Sequence, residues 1–214
     1  MIKIAPSLLS ANFSCLAEEI KRIEQTADML HLDVMDGHFV NNITFGPVVV
    51  SAIRSKSKLL FDVHLMITNP AQIIPAFIKA GADIITIHAE CRDELLPTIR
   101  MIKDAGVKAG VSINPPTPLE IIIPLLGEID LLLIMSVNPG WSGQGFISEV
   151  LPKIREAKGL IERDNLSVEI EVDGGINIVT GKQAVEAGAE ILVAGSFVFN
   201  SSDPCNTIEI LKNL

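Results

Sequence analysis

The sequence predicts an α/β fold, a single (β/α)8 TIM barrel spanning residues 1–214 as one domain. Two observations point there. Short apolar, β-branched runs recur eight times along the 214 residues, and a segment of helical periodicity follows each run. Apolar residues make up 48% of the chain and aromatic ones only 4%, with no Tyr. The core is therefore aliphatic, as strands buried on both faces require. A doubly wound open sheet is the main alternative, but no GxGxxG follows the first run.

The strand candidates are Ile2–Ala5, Met29–Met35, Leu59–Met66, Asp83–His88, Lys108–Ile113, Asp130–Val137, Val168–Asp173 and Glu190–Gly195. Leu16, Ile20 and Ile23 form the apolar stripe of a first helix, and Pro47 opens a second. Asn69–Pro70 reads as an N-cap with Pro at N1, and Gly81 closes that helix. Ile99 and Ile102 face inward in the fourth, which Gly106 ends. Thr117-Pro118-Leu119-Glu120 reads as a capping box opening a fifth. A sixth runs from Ser148 to Arg163. Asn177 caps the seventh, Gly188 ends it, and Asp203–Pro204 starts the last. The joint Ala80-Gly81-Ala82-Asp83 recurs as Ala187-Gly188-Ala189-Glu190, and more loosely at Ala105-Gly106. The longest connection falls between the sixth and seventh runs.

Composition excludes several functions. The net charge is −9 and no basic run stands out, so no nucleic-acid footprint is present. The most apolar region, Leu119–Val137, is broken by Glu120, Pro124, Gly127, Glu128 and Asp130, which rejects a membrane span. Cys15, Cys91 and Cys205 are far apart and form no CxxC, which fits free thiols in a reducing, cytoplasmic setting. The first run begins at once, leaving no room for a signal peptide.

In a barrel of this kind the chemistry sits at the C-terminal ends of the strands. His31 and Asp33 alternate onto one face of the second run, His64 lies late in the third, and Asp173 ends the seventh. Alone, His64 reads as a hydrogen-bonded core histidine and Asp33 as a structural carboxylate. At matching strand ends the four form an N2O2 site for one divalent metal ion, suited to Zn, Fe(II), Mn or Co. Three glycine loops follow the sixth, seventh and eighth runs: Gly140-Trp141-Ser142-Gly143, Gly174-Gly175 and Gly195-Ser196. Their amides can cradle a phosphate, or the glycines serve only to make tight turns. Met35, Met66 and Met135 are core filler or an apolar floor under a reactive carbon. His38 reads as solvated and His88 as structural or substrate-facing. Asp36 and Asp62 hold the turn or the ligands, or react. Trp141 is a candidate lid.

The stretches Ala5-Pro6-Ser7-Leu8-Leu9-Ser10, His31-Leu32-Asp33-Val34-Met35-Asp36-Gly37-His38, Asp62-Val63-His64-Leu65-Met66, Met135-Ser136-Val137-Asn138-Pro139-Gly140 and Glu171-Val172-Asp173-Gly174-Gly175 closely resemble the ribulose-phosphate 3-epimerase family. The resemblance covers essentially the whole chain. It implies a cytoplasmic isomerase of the pentose phosphate pathway that interconverts D-ribulose 5-phosphate and D-xylulose 5-phosphate by 1,1-proton transfer through a metal-stabilised enediolate. It further implies a metal held by His31, Asp33, His64 and Asp173, with Asp33 and Asp173 moving protons. Ser7, His64, Asp173 and the glycine loops would contact the substrate. A homo-oligomer is expected on the same ground.

The loop Gly140-Trp141-Ser142-Gly143-Gln144 departs from the family's usual Gly-Phe-Gly-Gly-Gln. Gly145 stands where Lys is common, and Asn42 where a Pro-Asn pair is usual. A 3-epimerase acting on a longer sugar, such as D-allulose 6-phosphate, is thus the nearest alternative reading. A phosphosugar aldolase or decarboxylase barrel is a third, but the third run lacks the Lys such a strand carries.

Overall fold

The computed structural model describes residues 2–214. Eight strands follow one another in the chain: β1 (Lys3–Pro6), β2 (Met29–Met35), β3 (Leu60–Met66), β4 (Ile84–His88), β5 (Lys108–Ile113), β6 (Leu131–Met135), β7 (Glu169–Asp173) and β8 (Ile191–Ala194). All seven neighbouring pairs are parallel, in the order β1-β8-β7-β6-β5-β4-β3-β2. A bridge between Ser7 and His31 joins the remaining seam and closes the barrel. The helices lie outside: α1 (Leu16–Lys21), α2 (Pro47–Arg54), α3 (Ile74–Ala80), α4 (Leu95–Asp104), α5 (Leu151–Arg163), α6 (Ile178–Ala187), α7 (Ser196–Phe199) and α8 (Pro204–Lys212).

Strand alternation divides the barrel into two environments. Leu30, Leu32 and Val34 of β2 point outward into one large aliphatic layer, together with Val63, Leu65, Ile85, Ile87, Leu132, Ile170 and Leu192. The helices cover that layer. Inside, Ala5, Met29, Ile84, Leu131 and Ile191 plug the end where the strands begin, and Val193 packs on them and reaches the cavity above. His31, Asp33, Asp62, His64, Thr86, His88, Ser112 and Glu171 are all buried above them.

The helix ends follow the sequence in part. Gly81 and Gly188 take left-handed φ of 96° and 118° after α3 and α6, a conformation that costs glycine little. Asn177 forms a full capping box with Thr180, and Asp203 caps α8 through the Asn206 amide. Three expectations need correction. The fifth helix is absent, replaced by two 3-10 turns at Leu119–Ile121 and Ile123–Leu125. Thr117 caps neither, because its hydroxyl donates to Glu90 instead. Asn69 makes no side-chain cap, and Pro70 opens a 3-10 turn ahead of α3. The short α7 directly after β8 was not foreseen.

Several strands begin one residue later than expected, and an acidic residue stands just outside β2, β4, β6 and β8. Asp28, Asp83, Asp130 and Glu190 accept the backbone N–H of Ile4, Phe61, Ala109 and Ile170 at 2.8, 2.7, 2.9 and 3.2 Å. Each also pairs with a basic side chain from a helix: Lys212 at 3.0 Å, Arg54 at 2.9 Å, Lys103 at 3.6 Å and Lys158 at 3.2 Å. At Asp83 and Glu190 the Ala-Gly-Ala-acid repeat thus ends a helix and satisfies the second amide of the neighbouring strand, which would otherwise be left unpaired.

Candidate active site and metal centre

Strand register assembles the site. On β2 and β3, His31 lies beside Asp62, Asp33 beside His64 and Met35 beside Met66. On β6 and β7, Met135 lies beside Asp173. The four expected ligands, His31, Asp33, His64 and Asp173, each present one donor atom within 4.8 Å of the others. His31 Nε2 lies 3.5 Å from Asp33 Oδ1 and 3.9 Å from Asp173 Oδ2. His64 Nδ1 lies 3.4 Å from Asp33 Oδ1.

The other polar side-chain atoms of His31, Asp33 and His64 are spoken for. His31 Nδ1 lies 2.5 Å from Asp62 Oδ2, so it carries the hydrogen. The Ser7 hydroxyl donates to Asp33 Oδ2 at 2.5 Å. His31 Nε2 and His64 Nδ1 are buried and make no hydrogen bond. Leaving two buried imidazole nitrogens unpaired is costly. Two imidazole nitrogens and two carboxylates converging on one point can hold a divalent cation.

Electrostatics separate the carboxyls. Burial pushes Asp33 up, but His31 and His64 outweigh it and hold the carboxyl well below the usual range. Burial and the neighbouring Asp33 charge push Asp173 up to about 7. Burial and the Asp62 charge push Glu171, 3.7 Å from His31 Nδ1, up to about 8. His64 is lowered to about 4, chiefly by burial. One carboxyl held ionised and one pushed toward its protonated form thus share the same centre.

Above this centre opens a cavity. Ser7, Asp33, Asp173, Met35, Met66 and Met135 form its floor; Gly140, Trp141, Ser142, Gly143, Gly174, Gly175, Gly195 and Ser196 form its walls. All the expected metal-ligating, substrate-contacting and floor residues line it except His31 and His64, which lie fully buried below; Asp36, His38 and Asp62 do not line it. The three methionines are 3%, 1% and 2% exposed, so each both packs and faces the cavity. Trp141 stands on the rim, 61% exposed. Asn42 Nδ2 ties the loop after β2 to it by donating to Gly140 O at 2.9 Å.

His88 does not reach the cavity. It lies behind His64, and Phe39 covers its ring at 4.7 Å. Asp36 holds loops together, accepting the amides of His38, Phe39 and Thr68. Ser10 and Gln144 also line the cavity; both stand in the stretches that carry the family resemblance, which gives neither a role. Glu171 did carry one, two residues before Asp173 on the same face of a buried strand.

Comparison with known proteins agrees with this geometry. Residues 3–199 match the model of the ribulose-phosphate 3 epimerase family. A ribulose-phosphate 3-epimerase from Bacillus subtilis is 54% identical over 214 residues, covering 99% of each chain. One from Synechocystis is 49% identical, over 99% of this chain and 94% of its own. Among solved structures, KGPDC from Streptococcus mutans superposes with a TM-score of 0.73 at 15% identity, covering 100% of this chain and 97% of that one. A 3-hexulose-6-phosphate synthase from Salmonella typhimurium gives 0.70 at 19%, covering 99% and 97%. At these identities the structures show a shared fold alone.

Proposed function

Because the chain belongs to the ribulose-phosphate 3-epimerase family, we propose that it inverts C3 of a ketose phosphate, interconverting D-ribulose 5-phosphate and D-xylulose 5-phosphate. The observation that carries this is the convergence of two unpaired imidazole nitrogens with Asp33 and Asp173 directly under an open cavity. We read residues 1–214 as one catalytic domain, working in the cytoplasm as a homo-oligomer. Among the described residues no helix is long and apolar enough to cross a membrane.

The chemistry follows from the residues. Inversion at C3 next to a C2 carbonyl requires removing a proton from one face and returning one to the other. Asp33 and Asp173 reach the floor from β2 and β7, with β1 and β8 between them, so they address a flat reacting carbon from two directions. Asp33, held ionised, takes the C3 proton of ribulose 5-phosphate. Asp173, carrying a proton, returns one to the opposite face, and the roles exchange in reverse. Ser7 fixes the Asp33 carboxylate through Oδ2 and leaves Oδ1 toward the centre. A divalent ion held by His31, Asp33, His64 and Asp173 would supply Lewis-acid stabilisation of the negative charge that develops on the substrate oxygens. The methionines exclude water from that carbon, and the glycine loops offer backbone amides to the phosphate.

The test compares turnover of D-ribulose 5-phosphate and D-allulose 6-phosphate before and after chelation. Preference for the pentulose, lost with the metal and restored by it, is the expected result. Preference for the hexulose would assign the Trp141-Ser142 rim a change of substrate around the same chemistry. Turnover of neither by metal-loaded protein would overturn the proposal.

A further inference from the structure

Behind His64 a line of buried polar groups runs away from the cavity. His64 Nε2 meets His88 Nε2 at 2.8 Å. The two rings are inclined by only 25°, with centroids 4.9 Å apart, the arrangement of an end-to-end hydrogen bond between nearly coplanar imidazoles. His88 Nδ1 lies 3.0 Å from Glu90 Oε2. Glu90 Oε1 accepts the Asn114 backbone N–H at 2.9 Å and the Thr117 hydroxyl. Lys153 from α5 clamps that loop, donating to the carbonyls of Asn114, Pro115 and Thr117 at 3.0, 2.9 and 2.5 Å.

Hydrogen counting along this line has one solution compatible with a ligand at His64. A carboxylate only accepts, so Glu90 draws the hydrogen of His88 onto Nδ1. Neutral His88 then offers a lone pair at Nε2, and His64 donates its Nε2–H to it. The lone pair left on His64 is at Nδ1, the atom that faces Asp33. We propose that Glu90 and His88 are positioning residues that lock His64 in its Nε2–H tautomer and so keep Nδ1 free to bind a divalent cation. This rests on the metal-centre reading above. His31 gets the same service from Asp62 in one step, with the opposite nitrogen left free. The Asn114 amide gives the line its direction, since a backbone N–H cannot reverse and become an acceptor.

Glu90→Gln tests the direction with almost no change of shape. The Gln carbonyl must face the Asn114 amide, so its NH2 faces His88 Nδ1. His88 then shifts its hydrogen to Nε2, and His64 is forced to carry its own on Nδ1. The readouts are zinc affinity, by competition with a chromophoric chelator, and 1H–15N spectra of zinc-loaded protein labelled with 15N-histidine. The wild type is expected to show hydrogens on His64 Nε2 and His88 Nδ1. Glu90→Gln is expected to bind zinc about 10- to 100-fold more weakly with the melting temperature of the metal-free protein little changed. His88→Gln, whose carbonyl can still accept from His64, is expected to keep most of the affinity, and His88→Leu to lose it. The His88 pair gives the same comparison if Glu90→Gln does not fold. A hydrogen on His88 Nε2 in the zinc-loaded wild type overturns the inference. So does equal zinc affinity in wild type, Glu90→Gln and His88→Leu. Wild-type protein whose His31 and His64 ring nitrogens do not respond to zinc overturns the metal centre itself, and this inference with it.

Discussion

Replacing Gly175 with Ala should weaken substrate binding at a modest cost in folding. Gly175 sits in the turn after β7 with φ of +63°, where a side chain costs roughly 1–2 kcal/mol. A Cβ there would lie 2.5 Å from Phe146 N, 2.8 Å from Phe146 Cα and 3.0 Å from Gln144 O. These are backbone atoms, so no rotamer change relieves the overlap, and overpacking of this kind costs roughly 1–3 kcal/mol if nothing yields. The turn is the stiffer partner. Ser136 Oγ donates to Asp173 O at 2.9 Å and Gly174 O at 2.7 Å, and Thr180 Oγ1 donates to Gly175 O at 2.8 Å. The loop after β6 is exposed at Trp141, Ser142 and Gly143 and should move instead. Its displacement relieves most of the strain and opens the cavity wall. Losing about 1.4 kcal/mol of binding raises KM about tenfold. The expected result is that rise, with kcat and metal content near wild type and a small fall in melting temperature. Steady-state kinetics on D-ribulose 5-phosphate with parallel metal analysis reads it. An unchanged KM in folded protein would refute the reasoning; a fall in kcat with metal loss would show that the turn, not the loop, had given way.

Asp173→Asn removes one proton carrier and one ligand oxygen, so kcat should fall by about 10²–10⁴-fold; near-normal turnover would sink its assigned role. Glu171 makes the metal-free protein's stability depend on pH. Its carboxyl, pushed up from 4.5 to about 8, keeps a proton that the unfolded chain releases. Its contribution is therefore fully present below about pH 4.5 and is lost as pH rises toward 8. Denaturation of metal-free Glu171→Gln should show a flatter stability curve across that window than wild type, and identical slopes would count against a protonated Glu171. Asn177→Ala removes the acceptor for the Val179 and Thr180 amides at 2.8 and 3.1 Å and should cost about 1 kcal/mol. A loss within error in urea melts would mean that water replaces the cap.

What could be read from the sequence was what local spacing encodes. His31-x-Asp33 and Asp62-x-His64 share strand faces whatever the register, and only parallel neighbours were needed to bring them together. Gly81 and Gly188 mark helix ends through a backbone conformation that is their own property. Thr117 misled because its partner is distant. The Thr-Pro-x-Glu pattern suits a helix start, but the carboxylate of Glu90, 27 residues away, takes the hydroxyl, and Pro115, Pro116, Pro118 and Pro124 crowd the segment into 3-10 turns. Glu90 itself gave no signal, since nothing in its neighbours shows that it will lie behind a histidine of β3. Asp83 and Glu190 were visible as a repeat, but the amides they serve belong to adjacent strands.

The barrel interior carries a charge problem that its architecture answers in two ways. Four carboxyls, Asp33, Asp62, Glu171 and Asp173, crowd around His31, and burying that many negative charges together is untenable without compensation. In the metal-free chain, protons supply it: Glu171 and Asp173 are pushed up by burial and by their neighbours' charge, and Asp62 and Asp33 outweigh burial to hold His31 well above its ordinary value. A divalent cation at the four ligands would compete with protons at these groups, so its affinity should strengthen as pH rises. The lower pair, Asp62 and Glu171, lies away from the cavity and bears on His31, while the upper pair, Asp33 and Asp173, faces the cavity. Orientation and reaction are thus assigned to separate layers of one barrel. The opposite end has no such conflict. There Asp28, Asp83, Asp130 and Glu190 each meet a strand amide and a basic side chain at the surface, where carboxylates can stabilise the sheet without being stripped of water.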